Sequence, residues 1–335
     1  MIPTLEFGRT GVALPVIGLG CSGISHAYGR ANEDESFATL RTALDLGVTM
    51  LDTSDSYGHG HNETIIGHFV REVGRDRVVI ATKVGDVRGL PGFSKPADNR
   101  PEHILKACDA SLKRLGVDWI DVYYLHRRDR SVPIADSVGT LARLVEAGKV
   151  RWIGLSEVNS KTLCEANAIH PVTALQSEYS LWTRDPEDGV LDVCRELRIT
   201  FVPFSPLGRA FLTGTVDVAK LPTDDFRTAL PRFQGEAASK NMNLVRRLAS
   251  FAAQRKVTPA QVALAWLLAK NDGVTTVLPI PGTKRPKYVA ENVAATAIGF
   301  SATEVAELDN MFARDAVEGA RYTGVAAEMI EVDPQ

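Results

Sequence analysis

Residues 101–126, PEHILKACDASLKRLGVDWIDVYYLH, contain one helix-and-strand unit. Pro101 suits the first position of a helix, and Gly116 suits its end. Apolar side chains recur between them at helical spacing, at Leu105, Cys108, Leu112 and Leu115. The β-rich run WIDVYYLH follows at once, at 119–126, and closes on the ionisable His126. A helix that leads directly into a strand is the repeating unit of α/β folds.

The same alternation runs through the whole chain. Strand-like runs are predicted at 15–20, 48–52, 78–83, 119–126, 151–155, 173–178, 199–204 and 276–280. Helical patterns lie between them, such as the one from Asn32, three residues before Glu35 as in a capping box, to Gly47. The opening LEFGRTGVALPVI favours a small hairpin. Eight β/α units in series, without a linker or repeat, predict a single (β/α)8 TIM barrel domain over residues 1–335. The N-terminal β-hairpin precedes it, and extended loops lie at its C-terminal face.

Composition excludes several classes of function. The chain has 335 residues, of which 44% are hydrophobic, and α/β barrels use this length as one domain. A net charge of -3 argues against a nucleic-acid partner and against a polybasic membrane surface. No apolar run approaches the roughly 20 residues of a membrane span, and the amino terminus does not resemble a signal peptide. The four cysteines are scattered, which argues against disulfides and zinc and favours a cytoplasmic protein.

Four ionisable residues lie at or just past the ends of three consecutive strand-like runs: Asp52, Tyr57, Lys83 and His126. Because the carboxyl ends of parallel strands meet on one face of a barrel, we expect these side chains to converge there. A phenol is a poor proton donor, with a pKa of about 10. A neighbouring cation favours the phenolate, and a carboxylate can hold that cation in place. Lys83 is therefore predicted to lower the pKa of Tyr57, so that the phenol can protonate an alkoxide forming on a carbonyl carbon.

Two motifs suggest other chemistry. Gly18, Gly20 and Gly23 spell G-x-G-x-x-G after a strand, as in Rossmann dinucleotide sites. That fold needs a helix that opens at the third glycine, and here ISHAYGRANED is loop-like, which argues against it. His59-x-His61, with His68 nearby, suggests a metal, but no further ligands stand out and no metal site is predicted. The glycine-rich turn can still run close to a ligand at the barrel mouth.

A stronger anion-binding signal lies at 279–292, PIPGTKRPKYVAEN. The eighth strand ends there, Lys284 and Arg285 follow a Gly-Thr turn, and a helix is predicted to begin near Pro286. Barrels often bind phosphate at this point, where free N–H groups and the helix dipole favour anions. The alternative is a solvated basic turn. Two long loops, 84–99 and 205–239, follow strands and would overhang the same face as lids or as simple inserts.

Eight stretches together carry a family resemblance: FGRTG…IGLG, LDTSDSYG…NE, VIATKVG, SLKRLGVDWIDVYYLHR, AGKVRWIGLSE, LQSEYSLW, FVPFSPLGRAFLTG and PIPGTKRPKYVAEN. In this order, from about residue 4 to 310, they resemble the aldo-keto reductase superfamily. The chain is most similar to its bacterial, fungal and plant branch of NADPH-dependent reductases, whose members carry LQSEYSLWTRDPE and ALPRFQGE. These stretches are residues 175–187 and 229–236 here.

The resemblance implies a role for each of the four ionisable residues. Tyr57 matches the family's proton donor, and Lys83 matches the partner that sets its pKa. Asp52 matches the carboxylate that pairs with the lysine, and His126 matches the residue that orients the carbonyl oxygen. The implied reaction is NADPH-dependent hydride transfer to a small-molecule aldehyde or ketone.

The resemblance also implies an NADP(H) site. Ser156 and Gln176 match the residues that bind the nicotinamide carboxamide, and Phe204 matches an aromatic residue, often tyrosine, that stacks on the ring. Glu157 stands where many relatives carry asparagine, which leaves its carboxamide contact open. The pyrophosphate loop matches Ser205, Pro206, Leu207 and Gly208. The 2′-phosphate site matches Gly282, Thr283, Lys284 and Arg285, and the adenine contacts match Glu291 and Asn292. Further cofactor contacts are expected at Gly20, Cys21, Ser22, Ile280 and Pro281.

The sequence specifies the substrate pocket and the class of reaction less closely than the cofactor site. Tyr28, Phe93 and Trp182 are predicted walls of the pocket. One alternative is an NAD(P)-dependent sugar (aldose) dehydrogenase, against which the Lys284–Arg285 pair argues. The other alternative is a non-catalytic cofactor-binding accessory subunit. The sequence shows no membrane-docking extension, which argues against this role. Nothing in the sequence specifies an oligomeric state.

Overall fold

The structure is a computed structural model that describes residues 2–25, 28–29, 31–88 and 94–334. An antiparallel hairpin pairs β1 (Thr4–Glu6) with β2 (Ala13–Pro15). Parallel strands then follow in the order of the chain: β3 (Leu19–Gly20), β4 (Met50–Asp52), β5 (Val79–Val84), β6 (Ile120–Leu125), β7 (Val150–Ser156), β8 (Val172–Glu178) and β9 (Thr200–Phe204). Each strand pairs with the next one along the chain, which is the arrangement of a (β/α)8 barrel.

Helices lie between the strands and after the last one. They are α1 (Glu33–Asp45), α2 (His61–Val73), α3 (Pro101–Leu115), α4 (Ile134–Glu146), α5 (Ser160–Ile169), α6 (Val190–Leu197), α7 (Gly235–Gln254), α8 (Pro259–Leu268), α9 (Pro286–Ala294), α10 (Ala302–Met311) and α11 (Val325–Glu328). The predicted ends of α3 are confirmed, because Pro101 is its first residue and Gly116 follows it with φ +65°. The Asn32 side chain caps α1 by accepting a hydrogen bond from the Glu35 amide at 3.0 Å. Within the described ranges, no helix is both long enough and apolar enough to cross a membrane.

The predicted eighth strand, 276–280, is an extended segment that closes the barrel without forming a regular ladder. Its amides donate to the β9 carbonyls of Phe201 and Pro203 at 2.9 and 3.0 Å. On its other side, the Pro279 carbonyl accepts from the Gly18 amide at 3.0 Å. Prolines within and beside the segment have no N–H, so alternate rungs of the ladder cannot form. The barrel is therefore nearly closed, with its irregular seam between β9 and β3.

The amino-terminal hairpin covers one end of the barrel. Phe7 and Leu14 pack into the interior cluster, and the Gly8 amide donates to the Thr200 hydroxyl at the start of β9, at 2.7 Å. Gly8 has φ +57°, and a Cβ there would lie 2.8 Å from Thr173. The predicted strand run at 15–20 is correspondingly divided, because Pro15 ends the hairpin and the first barrel strand begins only at Leu19.

Side-chain alternation along the strands places the polar residues at the open end of the barrel. Apolar side chains fill the interior, including Met50, Ala81, Tyr124, Ala174 and Val202. Because side chains two residues apart in a strand share a face, the residue two positions later points to the same interior, one layer nearer the carboxyl ends. Those later residues are Asp52, Lys83, His126, Gln176 and Phe204. The strand period alone therefore brings these five side chains to one place.

Candidate active site

A cavity of about 800 Å³ opens at the carboxyl ends of the strands. This volume lies within the range of small-molecule and cofactor sites. Many of the predicted site residues line it: Gly20, Ser22, Tyr28, Asp52, Tyr57, His126, Gln176, Phe204, Ser205, Pro206, Leu207, Ile280, Pro281, Gly282, Thr283, Lys284 and Arg285. The structure thus gathers most of the predicted catalytic and cofactor residues around a single cavity.

Lys83 links the carboxylate to the phenol. Its ammonium group donates to the Asp52 carboxylate, to the Thr53 carbonyl at 2.7 Å and to the Tyr57 hydroxyl at 3.3 Å. Lys83 is fully buried. Burial lowers the pKa of Lys83, but the charges and hydrogen bonds of Asp52 and Tyr57 together outweigh this and hold the pKa above its usual value. The lysine therefore stays charged and uses its three donors on three different groups.

The pKa of Tyr57 differs from the sequence-based expectation. Burial raises the pKa of the Tyr57 hydroxyl above 10, and the Lys83 charge opposes this shift without overcoming it. Because Asp52 pairs with Lys83, its negative charge offsets part of the lysine's effect on the phenol. The phenol therefore stays protonated at neutral pH.

His126 faces the same phenol from the end of β6. Its ring lies edge-on to the Tyr57 ring, with centroids 5.9 Å apart. Nδ1 lies 3.2 Å from the Ser54 hydroxyl and 3.4 Å from the Ser56 hydroxyl. Burial lowers the pKa of His126 well below its usual value, so the imidazole is neutral. When Nδ1 accepts from a serine hydroxyl, the ring proton lies on Nε2, which can then donate to an oxygen in the cavity.

The residues predicted to bind the carboxamide separate into two groups. Gln176 lines the cavity, and its Nε2 donates to Asp52 Oδ2 at 2.7 Å. Ser156 is buried, and its hydroxyl accepts from Arg127 Nη1 at 3.1 Å. Glu157 is also buried, and both of its carboxylate oxygens accept from Arg321 Nη2 at 2.9 Å. Of these three residues, only Gln176 lines the cavity.

Other predicted residues support the cavity without lining it. The Cys21 amide donates to the Asp52 carbonyl at 2.8 Å, and Asn292 is buried in α9. The Glu291 carbonyl accepts from Gln261 Nε2 at 3.2 Å. Trp182, a predicted wall, stacks on Phe211 with centroids 4.7 Å apart in a buried aromatic cluster. A Cβ on Gly208 would lie 2.6 Å from the Trp182 Nε1, so the indole packs closely against the predicted pyrophosphate loop. Phe93 lies outside the described residues.

The predicted phosphate site lies at the rim. Helix α9 begins at Pro286, as predicted, and the Arg285 amide donates to the Thr283 hydroxyl at 3.1 Å. The Arg285 side chain is about half exposed, at 52%, and its Nε lies 3.9 Å from Glu35. Lys284 Nζ instead donates to the backbone carbonyls of Tyr28 and Gly29, at 2.9 and 3.1 Å. Of the two cations, Arg285 is thus the more exposed at the rim.

The cavity is also lined by residues that the sequence did not single out as site residues. Several of them lie in segments that were expected at this face, namely the glycine-rich turn with Gly23 and the two long loops, which contribute Asp86, Arg88, Arg209, Ala210, Phe226 and Arg227. Sequence reasoning missed Ser56, Arg127, Tyr288 and Tyr322. Position carries a signal for Arg127, because it directly follows His126. Tyr322 has no such signal. It reaches the cavity through a hydrogen bond from Arg209 Nη2 at 2.7 Å, and Arg209 in turn pairs with Glu178 at 2.8 Å.

The histidines that suggested a metal lie apart from this cavity. His59, His61 and His68 are exposed, and His61 begins helix α2. Over the described ranges, no three His, Cys, Asp or Glu side chains are grouped as metal ligands would be.

The sequence model of the Aldo/keto reductase family matches residues 16–312 of this chain. The chain belongs to the aldo/keto reductase family. It is 43% identical to the aldo-keto reductase yakc [NADP(+)] of Schizosaccharomyces pombe over 99% of this chain and 98% of that protein. It is 41% identical to the probable aldo-keto reductase 1 of Glycine max, over 96% and 92% of the two chains. A Klebsiella pneumoniae aldo-keto reductase solved in complex with NADPH superposes with a TM-score of 0.73, at 27% identity, over 97% and 99% of the two chains.

Proposed function

We propose that this aldo/keto reductase is an NADPH-dependent reductase of aldehydes or ketones in which Tyr57 is the proton donor. One observation carries the proposal: the buried Lys83 donates to both Asp52 and Tyr57, and these two residues and His126 line a cavity of about 800 Å³. The likeness to relatives named for NADP(+) or solved with NADPH supports the choice of cofactor.

The residues around the cavity fit the chemical groups of NADP(H). The ring face of Phe204 suits stacking by the nicotinamide, and Gln176 offers an amide beside it. Ser205, Pro206 and Leu207 lie next in the cavity wall, where the pyrophosphate would be held. Arg285 and the start of helix α9 suit a phosphate at the rim. The cavity thus has an aromatic ring and an amide at one end, where the nicotinamide would lie, and a cation at the other end, where the 2′-phosphate would lie.

The chain's own residues would carry out the proton transfer. When bound, NADP(H) supplies the hydride. The substrate's carbonyl oxygen would lie between the Tyr57 hydroxyl and the neutral His126, where two donors stabilise the charge that develops on oxygen. Tyr57 then gives its proton to that oxygen, and the charge left on the phenolate is stabilised by Lys83 at 3.3 Å. Asp52 and the Thr53 carbonyl fix the position of the lysine throughout.

The raised pKa of Tyr57 predicts the pH dependence of reduction. Because the protonated phenol is the donor, the rate falls only when pH rises through a pKa that burial holds above 10. His126 stays neutral across the same range, since its pKa is lowered well below 6.5. We expect kcat/KM for carbonyl reduction to stay level from about pH 7 to about pH 9. A basic limb with an apparent pKa of about 7 to 8 would show that the phenol is not held protonated.

Cofactor preference is predicted to depend on Arg285. Its planar fork can take two phosphate oxygens, whereas a lysine acts as a point charge. Arg285→Ala should weaken NADPH binding by about 1.5–3 kcal/mol, the range for a hydrogen bond to a charged group. NADH has no 2′-phosphate, so its affinity should hardly change. The measurement is titration of both cofactors by protein fluorescence, with Lys287→Ala as a charge-matched control two residues away.

Two further results bear on this assignment. Removing Lys284 as well as Arg285 should weaken NADPH binding further and make it less sensitive to salt, because screened charge has been removed. Equal losses for NADPH and NADH, or no loss for either, would contradict the 2′-phosphate assignment. A preference for NADH in the unmodified enzyme would instead favour the sugar dehydrogenase alternative.

The direct test of the proposed function is a screen of aldehydes, ketones and sugars for NADPH oxidation by the purified protein. We expect reduction of at least one carbonyl compound, and loss of that turnover in Tyr57→Phe. Tight NADPH binding without turnover of any compound would favour a non-catalytic accessory protein.

A further inference from the structure

Glu157 is turned away from the cavity and is occupied elsewhere. Besides its two bonds from Arg321, its Oε1 accepts from the Glu178 amide at 2.7 Å. Its backbone lies in the left-handed region, with φ +56°, and the Glu331 amide donates to its carbonyl at 2.9 Å. A carboxylate has no donor for a carbonyl oxygen, and these oxygens already have partners. Glu157 therefore joins the carboxyl-terminal segment to the barrel and leaves the carboxamide contact expected at its position unfilled.

Arg127 lies beside that unfilled position. It is buried, with 7% exposure, yet it lines the cavity. Its Nη1 donates to the His126 carbonyl at 2.6 Å and to the Ser156 hydroxyl at 3.1 Å. These two bonds fix the guanidinium on two neighbouring strands, β6 and β7. The guanidinium carbon lies 5.8 Å from the centre of the Phe204 ring.

Among the residues that the structure describes, the remaining donors of Arg127 have no protein partner. In the described part of the chain, its hydrogen bonds all come from Nη1, and it forms no ion pair with a carboxylate. Its Nε and Nη2 are not among the fully buried polar atoms that lack a partner, whereas the Nε atoms of Arg75 and Arg321 are. These nitrogens of Arg127 thus keep accessible surface, and the cavity is what they line. Once a bound ligand displaces water from the cavity, these unused donors of a largely buried cation need an acceptor on that ligand.

We propose that Arg127 binds the carboxamide carbonyl oxygen of the nicotinamide, in place of the residue at position 157. The inference rests on the proposed NADP(H) site. Gln176 supplies the matching group, because its Nε2 is held by Asp52 and its Oε1 is left to accept from the carboxamide NH₂. A donor at Arg127 and an acceptor at Gln176 complement the two ends of a carboxamide. The hydrogen bond from Arg127 Nη1 to Ser156 uses a lone pair of the serine hydroxyl, so the hydroxyl proton is left to donate to another group.

The test compares ligands with and without the nicotinamide. Calorimetry would give the Kd of NADP⁺ and of 2′-phospho-ADP-ribose, which lacks the nicotinamide, for the unmodified protein and for Arg127→Met. We expect Arg127→Met to weaken NADP⁺ binding about tenfold or more, as for loss of one hydrogen bond from a charged donor. Binding of 2′-phospho-ADP-ribose should be unchanged. Arg130→Met is the control, since it removes the same charge from a side chain that is 59% exposed.

A second comparison needs no variant and holds even if Arg127→Met folds poorly. The 3-acetylpyridine analogue of NADP⁺ keeps the carbonyl oxygen that Arg127 would bind and carries a methyl group in place of the NH₂ that would donate to Gln176. The unmodified protein should bind this analogue within about tenfold of NADP⁺, because the stronger, charge-assisted bond is kept and only a neutral one is lost. Binding more than about tenfold weaker would overturn the proposal.

The outcomes separate this inference from the proposed function. Equal affinity of Arg127→Met and the unmodified protein for NADP⁺ would overturn the role of Arg127 alone, and would be expected if the guanidinium bound a substrate anion instead. Equal losses for NADP⁺ and 2′-phospho-ADP-ribose would also overturn it, because the effect would not depend on the nicotinamide. Failure of the unmodified protein to bind NADP⁺ would overturn both the inference and the proposed cofactor.

Discussion

Tyr57→Phe is expected to lower the rate of carbonyl reduction by about 10²–10⁴-fold, the usual contribution of general acid catalysis. The substitution removes one hydroxyl and almost no volume, so folding should survive. It also removes the group through which Lys83 acts on the substrate in the proposed mechanism, by way of the 3.3 Å bond from its ammonium group. Single-turnover measurement of NADPH oxidation at saturating cofactor would report the proton-transfer step without product release.

A matched variant separates loss of this hydroxyl from loss of any tyrosine hydroxyl. Tyr123 is fully buried in the outer core, and its hydroxyl has no hydrogen-bond partner among the described residues. Tyr123→Phe should therefore keep near-normal turnover. Normal turnover in Tyr57→Phe, with NADPH binding intact, would show that Tyr57 is structural.

Lys83→Met is expected to reduce turnover at least as strongly and also to destabilise the fold. Without the ammonium group, the pKa of Tyr57 rises further and its hydroxyl loses a hydrogen bond. Asp52, which is 2% exposed, would then be a buried carboxylate without its counter-charge. Removing one partner of a buried ion pair typically costs about 3–5 kcal/mol of unfolding free energy. Urea unfolding and steady-state kinetics measure the two effects separately.

The double variant Lys83→Met with Asp52→Asn distinguishes catalysis from stability. It removes both charges, so no carboxylate stays buried without a counter-charge, and most of the lost unfolding free energy should return. Turnover should stay at least about 100-fold below the unmodified rate, because Tyr57 still lacks its cationic partner. Recovery of activity together with stability would show that Lys83 acts only through folding.

Much of the fold and the central part of the site follow from local sequence patterns. The period of two along β4, β5 and β6 places Asp52, Lys83 and His126 one layer beyond apolar interior residues. Helix ends such as Pro101 and Gly116 carry their own backbone preferences, so their positions are readable without tertiary context. The sequence predicts the eighth strand in the right place but as too regular a strand, because backbone prolines interrupt its hydrogen bonds.

What the sequence could not show depends on contacts between distant segments. Glu157 meets Arg321 across 164 positions, and the neighbouring Tyr322 accepts from Arg209 across 113 positions at the cavity. The pKa of Tyr57 is governed mainly by burial, which no motif encodes. Arg127 is adjacent to a predicted residue, yet its proposed role depends on donors that the neighbouring strands leave unused.

The most direct test of the central claim is isotope transfer from NADPH deuterated at C4 of the nicotinamide to an aromatic aldehyde. With the unmodified protein, mass spectrometry should find one deuterium at the carbinol carbon of the alcohol, delivered from only one of the two C4-deuterated forms. Tyr57→Phe should form less than roughly 1% of that product in the same time, in line with the loss of a general acid. Unlabelled alcohol from both deuterated forms, or labelled product at an undiminished rate from Tyr57→Phe, would contradict the account.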